Sequence, residues 1–195
     1  MPKISRLERD QVPPETGAIY DRYTQQRGHV PNMFRTVAHR AEIFQTMIAH
    51  FEAILNTGTL STKLKELVIV RTSQLNHCSY CLASHTRIAL RLGWSQDQIE
   101  HLAEYAGRTD FNAAEKAALW LAEVMTRNER PLTNAEMARL REHYSEGEII
   151  ELMAAIGLFN YFNRFNNLLD MEPTGASTHT PIPTSEAKKL LIPKQ

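Results

Sequence analysis

Apolar residues recur at intervals of three and four along most of the first 170 residues, which is the spacing of one face of an α-helix. The pattern predicts a short helix after Pro13-Pro14 and an amphipathic helix from Met33 to about Leu55. A third helix, capped by Ser61, is apolar around most of its girth, which predicts an interior position. A fourth runs from Cys78 to Leu92 and is stopped by Gly93.

The second half of the chain carries three capping-box signatures, each marking a helix start: Ser95 with Gln98, Asn112 with Glu115, and Thr133 with Glu136. The first of these helices is predicted to continue to about Tyr105. The longest apolar-periodic segment, from Glu146 to about Asp170, predicts a core or interface helix with several asparagines among its apolar residues. Because no alternating strand pattern interrupts these segments, the sequence predicts an all-α domain with short connections.

The composition changes after Met171, where proline, serine and threonine replace the periodic apolar residues. Such a segment cannot bury enough apolar surface to fold alone. The sequence therefore predicts one helical domain over residues 1–171 and an extended C-terminal tail over residues 172–195, which could dock on a neighbouring subunit.

Charge and hydropathy narrow the classes of partner. Lysine plus arginine equals aspartate plus glutamate at 22 each, so no global field recruits nucleic acid or an anionic membrane. No stretch approaches the ~18 consecutive apolar residues of a transmembrane helix, and the N-terminus lacks the apolar run of a signal peptide. We therefore expect a soluble, cytoplasmic protein that binds neither nucleic acid nor membrane.

The chain has two cysteines, Cys78 and Cys81, and both fall inside one four-residue window. This is the opposite of a secreted disulfide framework, so the pair is a candidate for redox chemistry or metal binding. On a helix, residues three apart have Cβ atoms about 5 to 6 Å apart, and a disulfide needs about 3.5 to 4.5 Å. A modest tightening of the first turn would join them, and the positive end of the helix favours thiolate.

Two further residues could manage protons for these thiols. His85 lies four residues after Cys81, one turn along the same helix face, which makes Cys81 the better candidate for the attacking thiol. Glu66 lies on the preceding helix and could reach the thiols as a general base, directly or through a water, if the two helices form a hairpin. Tyr80, which lies between the two cysteines, and His77, which directly precedes Cys78, are candidate accessory residues.

Three alternatives remain open from the residues alone. The cysteines could be small buried apolar residues without chemistry. Cys78, Cys81 and His85 could bind zinc with His77 or Glu66 as a fourth ligand, although structural zinc sites usually take a second ligand pair from a separate segment. The protein could also be a non-catalytic, oligomeric redox sensor.

Glu66, Cys78-Ser79-Tyr80-Cys81 and His85, with the helix end at Leu92-Gly93, resemble the alkylhydroperoxidase D-like branch of the carboxymuconolactone decarboxylase superfamily over about residues 30–170. The resemblance implies an all-α fold and a homo-oligomer, either a trimer or a hexamer. It also implies a thiol peroxidase that reduces hydroperoxides through a Cys-x-x-Cys dithiol/disulfide cycle, with a thiol donor or reductant protein as partner and with no metal or organic cofactor.

By the same resemblance, Cys81 would be the attacking thiol, Cys78 the resolving thiol, and Glu66 with His85 the proton relay. One position departs from the pattern, because the best-studied members carry a second histidine just before the second cysteine, where this chain has Tyr80. A tyrosine forms hydrogen bonds but titrates at about pH 10, so it is a poorer proton shuttle at neutral pH.

Overall fold

The protein is described from a computed structural model over residues 2–127 and 130–174. In those ranges the chain forms α-helices and two short 3-10 helices, with no strand, so the predicted all-α class is confirmed. The α-helices, in chain order, are α1 (Pro14–Arg27), α2 (Asn32–Val37), α3 (Ala41–Asn56), α4 (Thr62–Leu75), α5 (Ser79–Arg91), α6 (Gln96–Glu100), α7 (Ala113–Arg127), α8 (Asn134–Arg141) and α9 (Glu146–Leu168). Most of the predicted tail, residues 175–195, lies outside the described residues.

Helix α4 is the interior helix that the sequence predicts. Every residue from Lys65 to Gln74 is buried, and the helix packs against α5, α7 and α9. Its buried cations are paired, as interior charges must be. The Lys65 ammonium contacts the Glu151 carboxylate at 3.0 Å, and the Arg71 guanidinium contacts the Glu123 carboxylate. None of the helices in the described ranges combines the length and hydropathy needed to cross a membrane.

The predicted single helix from Met33 to about Leu55 is wrong, because the chain forms α2 and α3 with a turn between them. The apolar residues on both sides of the turn keep helical spacing, but the turn itself contains the polar residues His39 and Arg40. The His39 ring contacts the backbone oxygen of Ser5 instead of continuing the helix. The turn lets Phe34 of α2 and Phe44 of α3 meet edge to face, with ring centroids 5.8 Å apart.

The predicted capping boxes at Ser95, Asn112 and Thr133 all form, with side-chain and backbone bonds in both directions. The helix that begins after Ser95 is nevertheless shorter than predicted. It ends at Glu100, and a separate 3-10 turn follows over Leu102–Glu104.

The connection between α4 and α5 fixes the position of the cysteines. His77 has a left-handed backbone with φ of 54°, and the Cys78 N–H donates to the Ser73 carbonyl at 2.9 Å. The His77 N–H donates to the Gln74 carbonyl at 3.0 Å, which completes a Schellman motif at the end of α4. The chain therefore reverses within two residues, and α5 begins directly beside the end of α4.

Candidate functional site

The two thiols lie at the start of α5. Cys78 is the N-cap residue, and its sulfur accepts a hydrogen bond from the Cys81 N–H at 3.4 Å. Both cysteines are free thiols. Cys78 is completely enclosed, whereas Cys81 lines a pocket. Of the two sulfurs, the Cys81 sulfur is therefore the one that a small molecule entering this pocket would meet.

The two thiols differ in acidity. The pKa of Cys78 is lowered, chiefly because the Cys81 thiol hydrogen-bonds to its sulfur and also because backbone N–H groups point at it. The pKa of Cys81 is raised well above its ordinary value by burial and by its neighbour Cys78. Of the two thiols, Cys81 therefore depends more on a nearby base to lose its proton.

Glu66 and His85 meet across the α4–α5 hairpin. Oε2 of Glu66 lies 2.7 Å from Nδ1 of His85; the Glu66 side chain is buried and that of His85 is partly buried. The ring of Phe159 packs edge-on against the imidazole at 4.6 Å between centroids. When Nδ1 carries its proton toward the carboxylate, Nε2 is left as the acceptor, so the carboxylate sets the tautomer and orientation of the ring.

The pocket that contains Cys81 has an aromatic wall and is assembled from distant parts of the chain. Phe34 comes from α2, Phe51 from α3, and Phe159 and Phe162 from α9. The remaining lining residues are Arg27, Pro31, Met33, Tyr80, Cys81, Ser84, His85 and Asn166. The arrangement places a thiol and an imidazole in a partly apolar recess, where their hydrogen bonds are stronger than in water.

Asn166 is a functional candidate that the sequence analysis did not select. Its Nδ2 donates to the Cys81 sulfur at 3.4 Å, and its backbone lies near the C-terminal end of α9. Asn160, Asn163 and Asn166 are spaced three apart on a buried face of that helix. Asn163 in turn bonds to Ser73 and Asn76. The regular spacing of amides on an apolar helix is the sequence signal that could have identified Asn166.

The two accessory candidates, His77 and Tyr80, both stabilise helix ends. His77 is the left-handed residue that ends α4. The Tyr80 hydroxyl accepts the backbone N–H of Met33 at 3.2 Å and contacts the Thr174 hydroxyl at 3.1 Å. The N-cap of α2 is a proline without a capping side chain, so Tyr80 and Thr174 cap that helix from outside. Burial raises the pKa of Tyr80 to about 12, so the phenol stays protonated at neutral pH.

Replacing Tyr80 by phenylalanine should therefore affect stability more than thiol chemistry. The change leaves the Met33 N–H without its acceptor, which should lower the free energy of unfolding by about 1 to 3 kcal/mol. Denaturant unfolding and the rate of thiol oxidation, measured on the same preparation, check the expectation. A stable variant with slow thiol oxidation would instead make Tyr80 part of the proton path.

The described part of the chain offers no set of ligands for a metal ion. Over residues 2–127 and 130–174, no three or more histidine, cysteine, aspartate or glutamate side chains are grouped closely enough to hold an ion. Within that part, Glu66 and His85 bond to each other, and the Cys78 sulfur accepts the Cys81 N–H.

Known proteins share both sequence and fold with this chain. The sequence model of the carboxymuconolactone decarboxylase family matches residues 41–123, which include Glu66, both cysteines and His85. The uncharacterized protein YdfG of Bacillus subtilis is 30% identical over 116 residues, which are 59% of this chain and 79% of YdfG. The chain belongs to the carboxymuconolactone decarboxylase family.

Solved structures assign this family member to the alkylhydroperoxidase D-like (AhpD-like) branch. An AhpD-core, peroxidase-related protein of Ralstonia eutropha superposes with a TM-score of 0.80 and 25% identity, covering 90% of this chain and 93% of that one. The debrominase Bmp8 superposes with a TM-score of 0.78 and 23% identity, covering 96% and 97%, and shares the fold. The family resemblance drawn from the sequence is confirmed.

Proposed function

We propose that this AhpD-like protein is a thiol peroxidase that reduces hydroperoxides with its Cys78–Cys81 dithiol. The observation that carries the proposal is that the Cys81 sulfur and the His85 imidazole line one pocket, while Glu66 holds the imidazole at 2.7 Å. A reactive thiol, a proton carrier and a second thiol are the groups that peroxide reduction needs. The peroxidase-related fold neighbour supports the same class of chemistry.

In the first step, the Cys81 thiol gives its proton to the free Nε2 of the His85 imidazole, whose ring the Glu66 carboxylate orients and whose positive charge it then stabilises. The Cys81 thiolate then attacks the terminal oxygen of the hydroperoxide. The S–O bond forms as the O–O bond breaks, and the departing alkoxide or hydroxide takes a proton from His85. The products are a Cys81 sulfenic acid and an alcohol or water.

In the second step, the Cys78 sulfur attacks the sulfenic sulfur and water leaves, which gives the Cys78–Cys81 disulfide. The two residues are already joined by the bond from the Cys81 N–H to the Cys78 sulfur at 3.4 Å, so little backbone movement is needed. An external thiol donor or a reductant protein then returns the disulfide to the dithiol by exchange.

A mass-resolved time course tests the function directly. The reduced protein is mixed with hydrogen peroxide or an organic hydroperoxide, and the intact mass is followed with and without a dithiol reductant. We expect conversion to one internal disulfide and repeated peroxide consumption when reductant is present. Oxidation to a disulfide without turnover would favour the non-catalytic redox sensor, and no reaction would exclude both functions.

A second candidate reaction is reductive removal of halogen from an aromatic ring. The aromatic wall formed by Phe34, Phe51, Phe159 and Phe162 would suit a flat ring beside Cys81, and a fold neighbour is a debrominase. The dithiol would supply two electrons, so that the ring exchanges bromine for hydrogen while bromide, a proton and the disulfide form. Bromide release from a bromopyrrole by the reduced protein, measured beside the peroxide reaction, distinguishes the two activities.

We also propose that the chain forms a homo-oligomer through the outer face of α9. The inner face of α9 is buried within the chain itself, so the apolar length of the helix is not the argument. Ile150, Tyr161 and Leu168 are 64%, 45% and 79% exposed. They are separated by 11 and 7 residues, or about three and two helical turns, and therefore share one face. A second copy of the chain would cover this apolar stripe.

The oligomer should be a trimer or a hexamer by light scattering at micromolar concentration. Replacing Ile150 by aspartate should shift the population toward monomer, because it buries a charge in the proposed interface. Ile43, an isoleucine on α3 that is 48% exposed, is the matched control, and its aspartate variant should assemble normally. A monomeric wild-type protein would contradict the proposal.

A further inference from the structure

The two ends of the Asn166 amide differ in their hydrogen bonding. Its Nδ2 donates to the Cys81 sulfur at 3.4 Å, while its Oδ1 is buried and has no hydrogen-bond partner among residues 2–127 and 130–174. The residue is 1% exposed and lines the same pocket as Cys81 and His85. A buried acceptor without a partner is uncommon in folded proteins and needs an explanation. A ligand with an O–H group, bound in this pocket, would supply the missing donor.

We propose that Asn166 binds the hydroperoxide, with Oδ1 accepting the terminal O–H while Nδ2 holds the sulfur that attacks it. This inference rests on the proposed peroxidase function and assigns a residue to it. One amide would then set the sulfur and the reacting oxygen at a fixed separation, which is how a positioned group accelerates a two-partner reaction. Asn166 would be a catalytic residue, because it touches both reacting atoms.

The chemistry is consistent with an acceptor at this position. The hydroperoxide keeps its terminal O–H proton throughout the attack, since the bond that breaks is O–O and the leaving oxygen is protonated by His85. The sulfenic acid therefore carries the same hydroxyl that Oδ1 held before the attack. Nδ2 meanwhile favours the Cys81 thiolate over the thiol, which opposes the effect of burial on this sulfur.

The position of Asn166 in α9 keeps this amide in place. The Met171 N–H donates to the Asn166 carbonyl at 2.9 Å, and Asp170 has a left-handed backbone with φ of 50°. Together they form a Schellman motif that fixes the last turn of the helix. The amide is therefore held by regular helical structure and its terminal motif.

The test compares two reagents at one pH. The rate of dithiol loss with a hydroperoxide is divided by the rate of Cys81 alkylation with iodoacetamide, which also needs the thiolate but has no O–H donor. Taking the ratio removes changes in thiolate fraction. Asn166→Ala should lower this ratio about 10- to 100-fold, the range expected for one hydrogen bond at a reacting group. Asn166→Asp keeps an acceptor but loses the donor, so both rates should fall and the ratio should be retained.

Asn160→Ala is the matched control, because Asn160 is a buried asparagine of the same helix that bonds to Thr126. It should lower the melting temperature without changing the ratio. If Asn166→Ala does not fold, Asn166→Leu keeps the side-chain volume and carries the same expectation. A ratio equal to that of the wild type in the alanine or leucine variant overturns the assignment of Asn166. A wild-type protein that does not react with hydroperoxide overturns the peroxidase function instead.

Discussion

Replacing Cys81 by serine is expected to abolish peroxide consumption, because the chain then lacks the sulfur that lines the pocket. Replacing Cys78 by serine should leave a protein that reacts once and stops at a trappable sulfenic acid. Intact mass after dimedone trapping measures both outcomes.

Access from the pocket favours one thiol and acidity favours the other, so the two serine variants distinguish their roles. Access favours Cys81 as the attacker, whereas the lowered pKa belongs to Cys78. A sulfenic acid trapped on Cys78 in the Cys81→Ser variant would reverse the roles. If both variants consume peroxide at the wild-type rate, the dithiol mechanism is wrong.

Replacing Glu66 by glutamine should slow Cys81 oxidation by about 10²- to 10⁴-fold, which is the usual contribution of general acid–base catalysis. The glutamine oxygen can still accept the His85 Nδ1–H, but it no longer stabilises the protonated ring that donates to the leaving oxygen. Because the hydrogen bond survives, the melting temperature should move by no more than about 4 °C, the shift that corresponds to about 1 kcal/mol in a chain of this size. Stopped-flow oxidation and calorimetry measure the two effects.

Glu123→Gln is the matched control for this prediction. Glu123 lies on α7 and pairs with the buried Arg71, which shares helix α4 with Glu66. Glu123 is not among the residues that line the Cys81 pocket. Weakening that pair should lower the melting temperature and leave the oxidation rate unchanged. The opposite result for Glu66, a low melting temperature with normal oxidation, would make it a structural residue and leave His85 as the sole proton carrier.

Much of the site follows from local sequence rules. The three-residue spacing of the cysteines and the turn from Cys81 to His85 define a helix face, and Gly93 ends that helix where the sequence predicts. The contact between Glu66 and His85 follows once the two helices form a hairpin. That hairpin needs only a short connection, and His77 adopts the left-handed backbone that closes it.

The remaining features depend on tertiary packing. Asn166 reaches Cys81 across 85 positions of the sequence, and no local rule fixes how α9 crosses α5. The turn between α2 and α3 was missed because the apolar residues on both sides have helical spacing. His39 of this turn bonds to Ser5, a contact that spacing cannot predict. The role of Tyr80 as a cap was also missed, since the start of α2, which has no side-chain cap of its own, is far from Tyr80 in the sequence.

The residues of the Cys81 pocket come from different parts of the chain. The segment matched by the family model, residues 41–123, contains both thiols, Glu66 and His85. Phe34, Phe159, Phe162 and Asn166 lie outside that segment, in α2 and α9. The groups proposed to react and most of the pocket lining are thus encoded separately. Substitutions in α2 and α9 would therefore change which molecule fits beside Cys81 while Glu66 and His85 stay as they are, which would give the proposed reaction a route to other substrates.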